Sequence, residues 1–126
     1  MLDSFQQAEA LLGGTPGDNI RTIKLRGEGA KPGLAVSDMT AEQKEGVRGV
    51  LKDLLMPFRE EDIAESMKLV EKAGFEKLHL SFYKQGDIGN DKVWDNWRLE
   101  GPNMVWYFRG SPHVHTWVHI SDPDLA

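Results

Sequence analysis

Three of the four histidines of this chain fall within one short stretch near its C-terminus. If this stretch is a β-strand, alternate side chains point to the same face of the sheet. His113, His115 and His119 would then share one face. An extended His-x-His segment places two imidazole rings about 6 to 7 Å apart, which allows both to coordinate one metal ion. The spacing of His113 and His115 therefore predicts a metal-binding pair.

A catalytic zinc or iron site needs a third protein ligand and an open coordination position. His119 lies roughly 13 Å from His115 along a strand, so it joins the pair only if a β-bulge shortens the path. His79 is an alternative third ligand if the order or curvature of the sheet brings its face round, and Glu100 is another. Imidazole suits zinc, iron and copper alike. The pattern therefore leaves both the third ligand and the metal open.

Two further residues are candidates for binding a substrate. Trp117 lies between His115 and His119 in the sequence, where it could form the wall of an aromatic pocket. Arg109 precedes the turn that leads to the histidines, and its guanidinium could bind a carboxylate or phosphate. The alternative is that the tryptophans fill the core and that Arg109 forms a surface salt bridge. The pattern predicts no catalytic residue, and it leaves open whether the chain is an enzyme.

Length and composition narrow the class of protein. The chain has 126 residues and a net charge of −5, which is enough for one domain with a real core. The acidic balance argues against nucleic acid and anionic membranes as partners, because both require a basic surface. No apolar run approaches the ~20 residues of a membrane span, so we expect a soluble chain. The compartment stays open, since a mature exported protein that has lost its signal peptide would look the same.

The elements that would position these residues fall into three parts of one domain, residues 1–126. Residues 1–37 predict a short N-terminal helix ending near Leu12, followed by an irregular segment that wraps the core, with one short strand over residues 20–25. Residues 38–74 predict two consecutive helices. The first is capped by Thr40 and Gln43 in a capping box and is ended by Pro57. The second runs from about Glu60 to Ala73.

Residues 75–121 predict a sheet, because apolar and polar residues now alternate with a period of two. We expect four strands at about residues 78–83, 94–100, 103–109 and 113–121. Short turns favour antiparallel pairing of neighbours in sequence. The fold class is therefore α+β: two consecutive helices packed on a four-stranded antiparallel β-meander, with a short N-terminal helix.

Two segments resemble the bacterial proteins grouped as domain of unknown function family 3500. The first is Gly33-Leu34-Ala35-Val36-Ser37-Asp38-Met39-Thr40-Ala41-Glu42-Gln43. The second is Trp97-Arg98-Leu99-Glu100-Gly101-Pro102, followed by Trp106 and His113-Val114-His115. The resemblance covers about residues 33–121. It implies a bacterial protein related to longer chains that often carry an export signal, and it implies no activity. Family members tend to have adjacent histidines after a glycine, whereas here Val114 separates the two.

Two functional hypotheses follow. The first is a metal-binding domain that acts on a small molecule. Its ligands would be His113 and His115 with His79 or His119, its metal zinc, iron or copper, and its pocket would be lined by Arg109 and Trp117. The second is a non-catalytic binding or interaction module that uses no metal, with the tryptophans as its core and the histidine face as its surface for a partner. Neither hypothesis predicts the oligomeric state.

Overall fold

The computed structural model of the chain describes residues 2–16, 23–27, 29, 31–85, 87, 89, 91, 93–110 and 113–125. Within this part of the chain there are three α-helices: α1 (Ser4–Ala10), α2 (Ala41–Leu55) and α3 (Glu60–Ala73). The same residues form six strands: β1 (Leu11–Leu12), β2 (Leu34–Ala35), β3 (His79–Tyr83), β4 (Asn96–Glu100), β5 (Met104–Arg109) and β6 (His115–Ile120). The predicted α+β class is confirmed.

Local sequence signals explain where the two long helices begin and end. The hydroxyl of Thr40 accepts a hydrogen bond from the backbone of Gln43, and the Gln43 side chain accepts one from the backbone of Thr40. This is the predicted capping box. Acidic residues occupy the first turn of α3, where the helix dipole favours them. Helix α3 ends at Gly74, whose φ of 107° is a conformation that suits glycine.

The sheet is larger than predicted. Strands β3, β4, β5 and β6 pair antiparallel in sequence order. The predicted number of four strands is wrong, because β1 and β2 also pair with β3, on the side opposite to β4. Strand β1 is parallel to β3 and β2 is antiparallel to it. Both come from the segment predicted as a helix end and an irregular wrap, where two-residue strands leave no periodic signal.

Register assigns each side chain of β3 to β6 to one of two faces, since directly opposite residues in antiparallel strands point to the same side. We call one the helix face. Its residues are Leu80, Phe82, Trp97, Leu99, Met104, Trp106, Phe108, Thr116, Val118 and Ile120. We call the other the polar face. Its residues are His79, Ser81, Tyr83, Asn96, Arg98, Glu100, Val105, Tyr107, Arg109, His115, Trp117 and His119.

Different parts of the chain cover the two faces. On the helix face, the core joins Leu51 of α2 and Val70 of α3 to Trp106 of the sheet. On the polar face, Ile23 and Leu25 pack against a smaller cluster. The predicted strand over residues 20–25 lies partly outside the described residues, and its described part is not a strand. None of the described helices has both the length and the apolar character needed to cross a membrane.

Candidate functional site

The predicted histidine pair lies at the start of the last strand. His115 is the first residue of β6 and His113 precedes it by two positions. The centroids of their rings are 4.5 Å apart, and both side chains are exposed. The ring of His115 also lies 5.6 Å from that of Trp117, the next residue on the same face. The structure therefore brings the two imidazoles together at the surface.

The surroundings of His115 favour its neutral form. Partial loss of solvent lowers its pKa below the usual value, and electrostatic interaction with Arg109 and with His113 lowers it further. Arg109 lies directly opposite His115 on β5. A neutral imidazole can coordinate a metal, but the guanidinium charge of Arg109 repels a cation at the same place.

The structure does not bring the candidate third ligands to this pair. His79 lies on β3, which is three strand spacings or roughly 14 Å from β6, and its Nδ1 is 3.1 Å from the carbonyl oxygen of Lys77. Glu100 lies opposite His79 on β4. His119 is on β6 itself, four residues beyond His115, with no bulge in the strand register. Among the described residues, no group of three or more His, Asp or Glu side chains could hold a metal ion.

Trp117 is positioned by packing on the polar face. Its ring stacks on that of Tyr107 at 5.5 Å, and it is partly buried. Trp106 points to the other side of the sheet, where it is 2% exposed within the main core. Trp97 also lies on the helix face, stacked on Phe108 at 5.6 Å. The three tryptophans in the strands are thus divided between the two faces.

A cleft of about 600 Å³ opens on the helix face beside β3 and β4, away from the three histidines at β6. Strands β3 and β4 form one wall with Leu80, Phe82, Trp97 and Leu99. Helix α2 and the segments before it form the other wall with Leu2, Met39, Glu42, Gln43, Gly46, Val47 and Val50. Nine of these lining residues are apolar or glycine, and the polar ones are Glu42 and Gln43. This size and lining fall within the usual range of small-molecule sites, about 300 to 1,000 Å³ with few polar groups.

Glycine in α2 contributes to the opening of this cleft. A side chain added at Gly46 would meet no atom within 4 Å of its Cβ, and the same is true at Gly49. Gly46 lines the cleft, whereas Gly49 does not. A glycine inside a helix costs about 1 kcal/mol relative to alanine. At Gly46 the missing side chain leaves room beside the exposed Val50.

The polar face buries a cluster of charges that sequence reasoning missed. Glu100 is 2% exposed and receives hydrogen bonds from the guanidinium of Arg26, including one of 2.9 Å from Nε. The guanidinium of Arg98 lies on its other side, with a nitrogen 3.2 Å from the carboxylate. Arg98 is itself only 6% exposed. One buried carboxylate is therefore shared between the buried Arg98 of the sheet and the exposed Arg26 of the N-terminal segment.

A buried tyrosine lies beside this cluster. The ring of Tyr83 is 6.0 Å from the guanidinium carbon of Arg98, and the residue is 1% exposed. In the described part of the chain, neither the Tyr83 hydroxyl nor Nε of Arg98 has a hydrogen-bond partner. Burial is the largest cause of the raised pKa of Tyr83, which reaches about 12. The hydroxyl is thus held in its neutral form.

The glycines of the cleft and the charged cluster left faint signals in the sequence. Gly46 and Gly49 interrupt a strongly capped helix, which indicates that something other than helix stability selects them. Arg98 and Glu100 alternate with the apolar Leu99 in a strand, a pattern that normally indicates an exposed face. Their burial depends on a distant segment that folds over them.

Comparison of the chain with protein-family models, with curated proteins and with the solved structures finds no match. The resemblance to domain of unknown function family 3500 therefore stays a prediction, and the site must be interpreted from its own geometry.

Proposed function

We propose that this protein is a binding module for a small apolar molecule, which occupies the cleft between α2 and strands β3 and β4. The proposal keeps the non-catalytic alternative of the sequence analysis and moves its site to the helix face. The observation that carries it is an open, apolar space of about 600 Å³ beside the main core. Clefts of this size, lined mainly by apolar side chains with few polar groups, are typical sites for small molecules.

The composition of α2 supports this choice of site. A helix that served only to cover the sheet would gain about 1 kcal/mol from alanine at Gly46, and the structure has space for that methyl group. Val50, on the same side of the helix, is 47% exposed although it lines the cleft. An apolar ligand would remove this surface from water, which is favourable by about 25 cal/mol per Å².

The rim of the cleft suggests the chemistry of the polar end of the ligand. Glu42 is exposed at the rim in the first turn of α2. Gln43 is held in the capping box and in a hydrogen bond of 2.9 Å from its Nε2 to Gln6. A carboxylate accepts hydrogen bonds and attracts cations. The ligand class is therefore an aliphatic or aromatic molecule with a neutral donor or a positively charged end, rather than an anion.

Fluorescence of an uncharged apolar probe, N-phenyl-1-naphthylamine, tests this proposal. We expect saturable binding at one site per chain, and weaker binding of the anionic probe 8-anilinonaphthalene-1-sulfonate. The substitution Gly46→Leu should abolish binding, because its side chain would fill the cleft without meeting an existing atom at Cβ. Glu42→Gln should reduce the difference in affinity between the uncharged and the anionic probe.

Gly49→Leu provides the matched control. It makes the same change on the same helix, also without a contact at Cβ, but outside the cleft. Both variants should remain folded, since leucine is a better helix former than glycine by up to about 0.8 kcal/mol. Equal binding by the two variants, or a wild-type chain that binds neither probe, would refute the proposal.

A second candidate function is metal binding by His113 and His115, and the 4.5 Å separation of their rings supports it. Two exposed imidazoles beside the charge of Arg109 make a weak site by themselves. Titration of the untagged chain with cobalt(II) or zinc, followed by absorption or calorimetry, tests it. The double substitution His113→Ala/His115→Ala should abolish binding, and an unchanged titration would contradict the assignment.

A further inference from the structure

Among the residues that the structure describes, β6 is the edge strand on one side of the sheet. In the described part of the chain, β6 pairs with β5 along its whole length and with no other strand. Val114 before it and Val118 within it are 64% and 40% exposed. An open edge of this kind is a template for pairing with another strand.

The hydrogen bonding of β6 shows which residues face the open edge. The backbone N–H of Ser121 donates to the carbonyl oxygen of Asn103 at 2.9 Å, so residue 121 directs its groups toward β5. Partners alternate along an antiparallel strand. His115, Trp117 and His119 therefore also face β5 with their backbones, and Thr116 and Val118 direct their N–H and C=O groups outward.

A second copy of the chain fits this edge. Two identical edge strands related by a two-fold axis perpendicular to the sheet pair antiparallel, with the same face of each sheet on the same side. When Trp117 lies opposite its own equivalent, Thr116 of each copy exchanges hydrogen bonds with Val118 of the other. Aromatic residues directly opposite each other stabilise such a pair. The exposed side chains of Val114 and Val118 would also become buried in this pairing.

In this register the histidines of the two copies meet. His115 of one copy lies directly opposite His119 of the second copy, in a pair without backbone hydrogen bonds. The Cβ atoms of such a pair are about 4.5 to 5.5 Å apart. His113 already lies beside His115, with ring centroids 4.5 Å apart. The third imidazole that one chain lacks is therefore supplied at the required place by the other.

We propose that two copies of this chain join at β6 and bind two transition metal ions, each held by His113 and His115 of one copy and His119 of the second copy. The proposal rests on metal binding by the His113 and His115 pair. It also gives a role to His119, which shares the face of His115 but lies too far along β6 to bind the same ion within one chain. Three imidazoles with an open position are a common ligand set for zinc.

Sedimentation velocity and metal analysis of the full chain, without a polyhistidine tag, test this proposal. We expect a monomer of 14.2 kDa without metal and a dimer with two zinc ions when zinc is added. His119→Ala should stay monomeric and bind metal at least about 100-fold more weakly, since loss of even an outer-shell partner costs about 10- to 100-fold. Val118→Pro should also stay monomeric and bind metal as weakly as His119→Ala. Proline removes the outward N–H that pairs with the second copy, and it leaves the hydrogen bonds between β5 and β6 in place.

Mixing two defective variants distinguishes a shared site from one built within a single chain. His119→Ala keeps the pair, and His113→Ala/His115→Ala keeps the third ligand. Neither should dimerise alone, but the mixture should form a dimer with one zinc ion. Failure of the mixture to assemble would overturn the proposal.

Other results separate this proposal from the one it rests on. A wild-type chain that binds zinc through His113 and His115 but stays monomeric would refute the shared site and leave the pair intact. A wild-type chain that binds no zinc would refute both.

Discussion

The two faces of the sheet are buried by different means. On the helix face, α2 and α3 cover apolar side chains such as Leu99 and Trp106. On the polar face lie one buried arginine, a buried glutamate and a buried tyrosine, and Arg26 of the N-terminal segment pairs with the glutamate. Apolar burial stabilises a fold directly, whereas buried ion pairs recover little more than the cost of their desolvation. The difference indicates that the helix face provides most of the stability and that the polar face depends on complete pairing of its charges.

The largest loss of stability should come from removing the carboxylate of Glu100. Glu100→Gln leaves Arg98 buried without its ion pair, and such a loss typically costs about 3 to 5 kcal/mol. Urea denaturation measures the free energy of unfolding. The double variant Arg98→Met/Glu100→Met serves as the comparison, because replacing a buried pair by apolar residues is often neutral or stabilising. If the double variant were as unstable as Glu100→Gln, the charges themselves would be contributing to stability.

The next largest loss of stability is linked to Tyr83 and appears only at alkaline pH. The pKa of Tyr83 is raised to about 12 from an ordinary value of 10.0, so the folded state holds this proton more tightly than the unfolded state. The resulting stabilisation is complete below pH 10 and is lost as the pH rises toward 12. Between pH 9 and 11.5, wild type should therefore lose up to about 2 kcal/mol more stability than Tyr83→Phe.

Tyr83→Phe can also be compared with wild type at neutral pH. Removing a buried hydroxyl that has no hydrogen-bond partner should change the free energy of unfolding by less than about 1 kcal/mol. A loss well above this at pH 7 would show that the hydroxyl of Tyr83 is hydrogen-bonded in solution. An equal alkaline decline in both proteins would show that another group is responsible.

A small gain in stability is expected from the two glycines of α2. Gly46→Ala and Gly49→Ala should each raise the free energy of unfolding by about 1 kcal/mol, since neither methyl group meets an atom within 4 Å. Thermal or urea unfolding would measure this. Alanine at Gly46 should leave room for a ligand, so probe binding should persist, in contrast to Gly46→Leu. Destabilisation by either alanine would mean that α2 packs more closely at that position than the structure indicates.

Local signals made α2, α3 and four of the strands predictable. A capping box and an acidic first turn act within a few residues of the helix start, and alternation in β3 to β6 reports one buried face. Strands β1 and β2 could not be predicted, because two residues show no period and their partner on β3 is distant in sequence.

The candidate sites depended still more on tertiary structure. The closeness of His113 and His115 followed from their spacing, and the structure brings their rings together. The cleft depends on how α2 lies over β3 and β4, which no local pattern describes. The burial of Arg98 and Glu100 depends on a segment that is far away in the sequence. Spacing in the sequence thus predicted the closeness of one pair of side chains, but it could not show which segments cover the two faces of the sheet.

The shared edge of β3 has a consequence for synthesis of the chain. Leu11 and Leu34 leave the ribosome early, but their partners Phe82 and Leu80 emerge only after both long helices. Until then these leucines have no strand to join, and a nascent chain exposes them. We therefore expect this edge to close last, with a rate limited by bringing two distant segments to one strand.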